Sequence, residues 1–457
     1  MFIDRKEEIS VLEKEYMKAS SFVVIYGRRR TGKTTLIEKF IENKSALYFL
    51  ATEEPEVVQR RRFQKLLFDY TGDRVLSNFD QPLDWESLFL IFSRQSGKKI
   101  LVIDEFQYLA TVNPAFPSVF QLVWDSYLKE SNTMVILCGS LITMMLSQVL
   151  SYSSPLYGRR TAQILLKPLS FESYGKFFDF DDKKKLLEFY SITGGIPKYI
   201  EEARRFEDPI KFIVEAVLNK DSYLYREPFF LLEKETDAVG TYMSIIAQIA
   251  DGKNRIGEIA SAFNSNPSHL TRYLKVLRDL DFVERIVPVT EKNPERSKKG
   301  IYLIKDRFLN FWFQYVFPFL GYLEIRKVDP ALKSIENTFR SVLVPLVYEA
   351  LCREATYTMA ARGELPFVPE RIGKWWDRKN DVDVVGISKD KIITGECKYT
   401  SRPMDTKSLY LLEKRTDMIA QGKEPFYILF SKSGFTSELQ EISRKRGNIK
   451  LVTFLPD

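Results

Sequence analysis

Over the first third of the chain, short runs of β-branched and aromatic residues alternate with longer stretches of helical spacing, the pattern of a parallel α/β sheet. Residues 22–26, 46–50, 100–103 and 134–138 are continuously apolar, as strands covered on both faces are, and 163–166 supplies a fifth run. Farther on, the period becomes helical at 243–249, 256–263 and 268–280, with Asn266-Pro267-Ser268 as a stop and N-cap ahead of the third. Val328-Asp329-Pro330 reads as a linker. Beyond it a helical stretch, 331–353, leads to an alternating strand at 381–386, a turn at 388–391 and a second strand at 392–398.

The most apolar stretch, 308–323, is short for a bilayer span and is interrupted by Asn310, Gln314 and Pro318, so it reads as one buried, aromatic-rich helix and no membrane partner is expected. Residues 1–14 are charged throughout and lack the apolar segment of an export signal. The three cysteines stand singly and there is one histidine, His269, so no structural zinc site can be assembled and a reducing cytoplasm is the expected location. His269, beside the N-cap, reads as a surface or capping residue. With 457 residues and 45% hydrophobic content, the chain has material for roughly two to four domains. Lys and Arg outnumber Asp and Glu 68 to 61, a mild excess compatible with a polyanionic partner.

The chemistry begins where the first strand ends. Gly27, Arg28, Arg29, Arg30, Thr31, Gly32, Lys33 and Thr34 match the phosphate-binding loop, in the required order strand, loop, helix, and Thr35 continues it. The glycines let the backbone turn tightly, so amides and a helix N-terminus point at phosphate oxygens. Lys33 adds charge at the β and γ phosphates, and Thr34 offers a hydroxyl to Mg2+. The third strand ends in Asp104-Glu105: Asp104 suits the magnesium shell, and Glu105 is placed to polarise an attacking water. Ser140, after the fourth strand, is either a γ-phosphate sensor or a helix cap. Arg159 and Arg160 sit in a loop before the fifth strand, where either could stabilise transition-state charge, or neither.

These motifs, with Phe2-Ile3-Asp4-Arg5-Lys6-Glu7-Glu8, Asp104-Glu105-Phe106-Gln107, Leu156-Tyr157-Gly158-Arg159 and Gly194-Gly195-Ile196-Pro197, resemble those of the archaeal-type ATPases, which belong to the STAND class of P-loop NTPases related to AAA+ proteins. The resemblance spans roughly residues 1–323 and implies a core, a helical lid and a winged helix. It also implies that the segment ending at Pro197 lies near the nucleotide and couples its state to the next domain. From local chemistry alone, paired glycines before a proline mean a tight turn.

The three helices after residue 240 resemble a winged helix-turn-helix. Arg272, Lys275 and Arg278 lie on the third, and Lys292, Arg296, Lys298 and Lys299 would form the wing; residues 251–300 hold 10 basic and 7 acidic side chains, a net of +3. DNA is one expected partner. Use of the winged helix as an intramolecular lid, for self-association or for a protein partner is the other reading.

In the last part, alternation puts Glu396 and Lys398 on one face, and the adjacent strand brings Asp383 to them: two carboxylates for a divalent ion and an ammonium to activate water or steady a phosphate. The constellation looks like the PD-(D/E)XK nuclease superfamily. The resemblance covers roughly 335–457, is carried by Trp375-Trp376-Asp377-Arg378-Lys379 and Glu396-Cys397-Lys398, and implies a further metal-binding acid from the preceding helix, which Glu349 fits. Asp381 stands where the superfamily often has proline.

The expected fold class is therefore α/β: a P-loop NTPase parallel sheet core (1–200), a helical lid plus winged helix-turn-helix (201–328), and a C-terminal α/β restriction-endonuclease-like domain (329–457). The expected function is an ATP-binding and hydrolysing switch, with ATP and Mg2+, associated with DNA and controlling a metal-dependent nuclease-like domain. The alternative is a regulatory switch, binding DNA or protein, whose C-terminal domain is inactive.

Overall fold

The computed structural model describes residues 2–77 and 81–455. The chain forms two compact units, one of residues 1–177, 195–204 and 229–239, the other of 178–194, 205–228 and 240–457. It thus crosses between them after Phe177, Gly194, Arg204, Pro228 and Val239.

In the first unit the four apolar runs and the segment near 163–166 are strands: β1 (Ser21–Tyr26), β2 (Ala46–Leu50), β3 (Lys99–Asp104), β4 (Thr133–Gly139) and β5 (Ala162–Leu165). They pair in the order β2-β3-β4-β1-β5, every pair parallel. Strand alternation explains why a continuous apolar run is needed. Phe22 and Val24 face one core with Phe49, Phe63, Trp85 and Phe120, while Val23 and Ile25 face a second with Leu36, Ile37 and Phe40. Each such fully buried side chain contributes roughly 1.5–3 kcal/mol. Pairing of Tyr26 with Gly139 and of Ile103 with Leu137 aligns the carboxyl ends of β1, β3 and β4, the sheet edge where open α/β folds bind ligands. Helix α1 (Lys33–Ile41) follows the glycine-rich loop, and helix α2 (Tyr223–Glu233) returns residues 229–233 to this unit.

The second unit holds three consecutive helices, α3 (Val239–Ala250, whose first residue closes the other unit), α4 (Ile256–Ala262) and α5 (Pro267–Asp279). An antiparallel hairpin of β6 (Val283–Ile286) and β7 (Ile301–Ile304) follows. The stretch 308–323 is not one helix: α6 (Arg307–Tyr315) ends before a short 3-10 turn at Phe317–Phe319, and helix resumes at Leu320. Pro318 has no N–H to continue the ladder, so the aromatic run breaks there. The stretch 331–353 is likewise divided, into a helix at Asp329–Thr338, a wider turn at Phe339–Leu343 and the long α7 (Val344–Ala361), which accommodates Pro345 in its first turn.

A mixed sheet closes the chain: β8 (Arg371–Trp376), β9 (Asp381–Ile387), β10 (Lys391–Lys398), β11 (Glu424–Ser431) and β12 (Ile449–Thr453), in sequence order across the sheet. The β8-β9-β10 meander is antiparallel and the β10-β11-β12 pairs are parallel. The parallel crossovers are made by α8 (Thr406–Asp417) and α9 (Ser437–Lys445). Among the described residues no helix is long and apolar enough to cross a membrane.

Candidate functional site

The loop after β1 is built around two glycines that admit no side chain. A Cβ on Gly27 would lie 2.5 Å from the Leu166 carbonyl oxygen, and Gly32 takes φ +89° as the chain enters α1. Arg30, at φ 68°, shares that left-handed region. Thr31 Oγ1 donates to the Arg28 carbonyl at 2.9 Å and Arg5 donates to the Thr31 carbonyl at 3.1 Å, holding the loop from inside. The Lys33 ammonium donates to the Gly27 and Arg28 carbonyls at 2.9 and 2.8 Å. Burial lowers its pKa, against the pull of Glu105 and Asp104. Thr34 Oγ1 donates to Asp104 Oδ2 at 3.1 Å, and Thr35 is exposed one residue farther on. Pro197 opens a helix beside the loop, where a Cβ on Gly32 would be 3.8 Å from its Cγ.

Glu105 occupies a left-handed conformation, φ 53°, directly after β3. Its Oε2 accepts from Ser140 Oγ at 2.8 Å, from the Ser140 amide at 3.2 Å, and from Gln107 Nε2. Ser140 therefore faces the acidic strand end. The Tyr48 hydroxyl donates to Asp104 Oδ2, and its own pKa is raised by burial and then by that carboxylate. Arg29 donates to the Tyr108 hydroxyl at 2.9 Å, and the Arg29 and Arg30 guanidinium groups each lie 5.7 Å from the centre of the Phe230 ring on α2. Glu235 caps the short helix after Ser140: it accepts from the Ile142 amide at 3.1 Å and from Thr143 Oγ1 at 2.7 Å.

Arg159 is not brought to this site. Its guanidinium grips Asp125 through Nε and Nη2, the latter at 2.8 Å from Oδ2, and donates to the Pro155 carbonyl at 2.8 Å. A bidentate ion pair of this kind holds the arginine in place.

The fit to a nucleotide rests on three features of the loop. Its glycine turn excludes a side chain at Gly27 by contact and disfavours one at Gly32 by its positive φ, and among the described residues its ammonium is satisfied by loop carbonyls and the buried Arg29 Nε has no hydrogen-bond partner. The Thr34 hydroxyl and Asp104 carboxylate are hard oxygen donors of the kind Mg2+ selects.

In the second unit the β9-β10 hairpin pairs Val384 with Gly395, one residue short of Asp383 and Glu396. Asp383 Oδ2 accepts from the Cys397 amide at 3.0 Å. Lys398 Nζ pairs with Glu396 Oε1, and Arg415 with Glu396 Oε2 at 3.4 Å. Lys374 on β8 reaches Glu349 Oε2 at 3.0 Å and Asp383 Oδ1 at 3.6 Å. Burial, then repulsion from Asp383, raises the pKa of both Glu349 and Glu396. The sequence-predicted set is thus gathered, with Asp383 acting on both glutamates, but each carboxylate already has a cation or amide. Among the described residues no group of three His, Cys, Asp or Glu side chains stands ready as a metal cage. Asp383 and Glu396 are the most buried carboxylates of the set, and all three are already paired: Glu349 and Asp383 with Lys374, Glu396 with Lys398 and Arg415.

On α5 the residues Arg272, Lys275 and Arg278 are exposed, while Leu270, Leu274 and Leu277 are buried. Lys292, Arg296, Lys298 and Lys299 of the β6-β7 loop are also exposed, but the loop itself is docked. The Val289 amide donates to the Lys374 carbonyl at 3.0 Å, and Arg371 donates to the Glu291 carbonyl at 2.9 Å.

Residues 2–203 match a family described as an ATPase domain predominantly from Archaea, and 312–410 match one described as "Archaea bacterial proteins of unknown function". Over 442 residues the chain is 35% identical to the uncharacterized protein MJECL04 of Methanocaldococcus jannaschii, an alignment covering 94% of this chain and 96% of that one. The chain belongs to this archaeal ATPase family. The uncharacterized ATP-binding protein MJ0147 of the same organism is 24% identical over 306 residues, 51% of this chain and 78% of its own length. Among solved structures, the Walker-type ATPase paby2304 of Pyrococcus abyssi matches with a TM-score of 0.51 at 20% identity, covering 68% of this chain and 96% of that one, a likeness of fold. The first unit is an ATP-binding, ATPase-type domain.

Three residues of this ATPase site, Tyr48, Phe230 and Glu235, escaped the sequence reading, and Gln107 entered it only within the motif Asp104–Gln107, with no role of its own. Tyr48 and Gln107 had a local signal, a hydroxyl on the strand next to an acid-terminated strand and an amide two residues after Glu105. Phe230 and Glu235 had none, because only the return of residues 229–239 to the first unit brings Phe230 to the loop and Glu235 to the helix after Ser140.

Proposed function

We propose that this ATPase is an ATP-hydrolysing switch of the STAND class that acts on DNA. The observation carrying the reading is the joining of α1 to two strand ends: Thr34 on α1 bonded to Asp104 at the end of β3, with Glu105 one residue on and held by Ser140 after β4. Loop amides and Lys33 bind the phosphates, and Thr34 and Asp104 hold Mg2+, which supplies charge neutralisation at the phosphate oxygens. Glu105 orients water and takes its proton on the carboxylate oxygen that is not held by Ser140 and Gln107. Phe230 and Glu235 supply the means of response, since the segment carrying them continues directly into α3. The test is Lys33→Ala: loss of ATP binding and turnover with a retained fold is expected, and unchanged affinity and turnover would sink the reading.

DNA contact is assigned to a winged helix formed by α3, α4, α5 and the β6-β7 hairpin, with the exposed cations of α5 on phosphates. Docking of the wing loop on β8 supports a second, intramolecular use of the same module.

For the last part of the chain, helix, antiparallel meander, crossover helix and parallel strand favour a nuclease-like domain, as does the carboxylate pair beside Lys398. Asp383 and Glu396 would hold a divalent ion, whose contribution is to polarise a phosphodiester oxygen and lower the pKa of water. Lys398 would steady the phosphate. The test is metal-dependent cleavage lost in Asp383→Asn with ATPase retained.

A further inference from the structure

Beside the carboxylate cluster, between the β6-β7 hairpin and the α7 and β8 surfaces, lies a cleft of about 790 Å3. Its cationic lining comprises Lys305, Arg307, Arg353, Arg371 and Lys374, and Tyr357 presents a half-exposed ring to it, at 51% exposure. Glu284, Glu291 and Glu354 also line it, so the cations outnumber the acids five to three. Glu291 is already paired with Lys299 at 2.8 Å, and Lys305 with Asp281.

The cleft and the cluster share a wall. Lys374, which lines the cleft, contacts Glu349 and Asp383, and Arg353 donates to the Asp383 carbonyl at 3.1 Å. The geometry follows from one helix. Glu349, Arg353 and Tyr357 are spaced four apart along α7 and fall on one face, so this stripe runs from the cluster into the cleft over about 12 Å. An aromatic platform at one end, cations along the way and a carboxylate pair at the other is the arrangement that holds a single strand, with a base stacked on the ring and the backbone in a positive groove.

We propose that this cleft binds single-stranded DNA and leads its backbone to Asp383 and Glu396, an assignment that rests on the nuclease-like reading of the carboxylates. A duplex read in its grooves does not present an unpaired base face to Tyr357, whereas a displaced or frayed strand does. The wing loop, bonded to β8 through Val289 and Arg371, forms the opposite bank.

The test is fluorescence anisotropy of labelled oligothymidine on the full chain in EDTA, which reads binding apart from cleavage. Tyr357→Ala is expected to weaken binding by roughly five- to a hundredfold, the range of one lost base stack, while Tyr357→Phe binds as the parent does. Both variants keep parental ATPase turnover, since Tyr357 belongs to the second unit. No binding by the parent, or an affinity of Tyr357→Ala equal to the parent's, overturns the cleft. Cleavage with Mn2+ is scored separately. Tyr357-dependent binding without cleavage supports the cleft and removes the nuclease reading. Cleavage of the same strand with identical KM in parent and Tyr357→Ala removes the cleft and keeps the nuclease.

Discussion

Ser140 donates both its hydroxyl and its backbone amide to Glu105 Oε2, at 2.8 and 3.2 Å, so the acid at the end of β3 is fastened to the end of β4. Those bonds, with that from Gln107, occupy Oε2, so the second carboxylate oxygen is the one left to take a proton from water. Glu105→Gln keeps the shape and one acceptor but removes the charge. We expect it to bind ATP as the parent does and to hydrolyse it roughly a hundredfold or more slowly. Parental turnover in single-turnover assays would move the base to another residue.

Glu235 carries a pH dependence. Burial raises its pKa above the ordinary carboxylate value, although Thr143 and the Ile142 amide pull the other way. The native state therefore binds more protons than the unfolded chain between the ordinary and the raised value. This contribution to stability is complete below the ordinary value and is lost as pH rises through the raised one. Glu235→Gln stays neutral, so its melting temperature relative to the parent should rise across that window. A pH-independent difference would assign Glu235 a purely geometric role.

The exposed cations of α5 predict a salt signature. If Arg272 and Lys275 contact phosphates, duplex DNA affinity falls steeply with salt, and each alanine variant lowers the log–log slope by about one. Binding that is insensitive to salt, or unchanged in the double variant, would leave the module to its intramolecular docking.

How much of this could be read in the sequence depended on whether the signal was local. The strands β1 to β4 were legible to within a residue or two because burial on both faces demands continuous apolar runs such as 22–26. The loop from Gly27 to Thr34 was legible because a tight turn against the Leu166 carbonyl tolerates only glycine. The β9-β10 hairpin followed from simple alternation. What could not be read depends on distant returns of the chain: Phe230 reaches Arg29 through α2, and Val289 meets Lys374 across more than eighty residues. The break of the 308–323 run at Pro318 was legible in principle, but apolar continuity outweighed the missing N–H in the reading. Arg159 shows the reverse, a loop arginine whose partner Asp125 gave no sign in the pattern.

The carboxylates of the mixed sheet give the last prediction. Burial, and then repulsion from Asp383, raises the pKa of both Glu349 and Glu396. Lys374, Lys398 and Arg415 offset the charge now, and a divalent ion would have to displace part of that pairing. Removing Asp383 altogether confounds the test, because its Oδ2 accepts from the buried Cys397 amide, and an orphaned buried donor costs about 1–3 kcal/mol. Asp383→Asn avoids this by keeping an acceptor at that position while removing the charge. In Mn2+ the parent is expected to cleave DNA, Asp383→Asn and Glu396→Gln to lose cleavage, and all three to hydrolyse ATP equally, since the ATP site is built from the other unit. Retained melting temperature in Asp383→Asn shows that the loss is chemical. Cleavage by Asp383→Asn at the parental rate would leave the cluster as a buried ion-pair network of structural use alone.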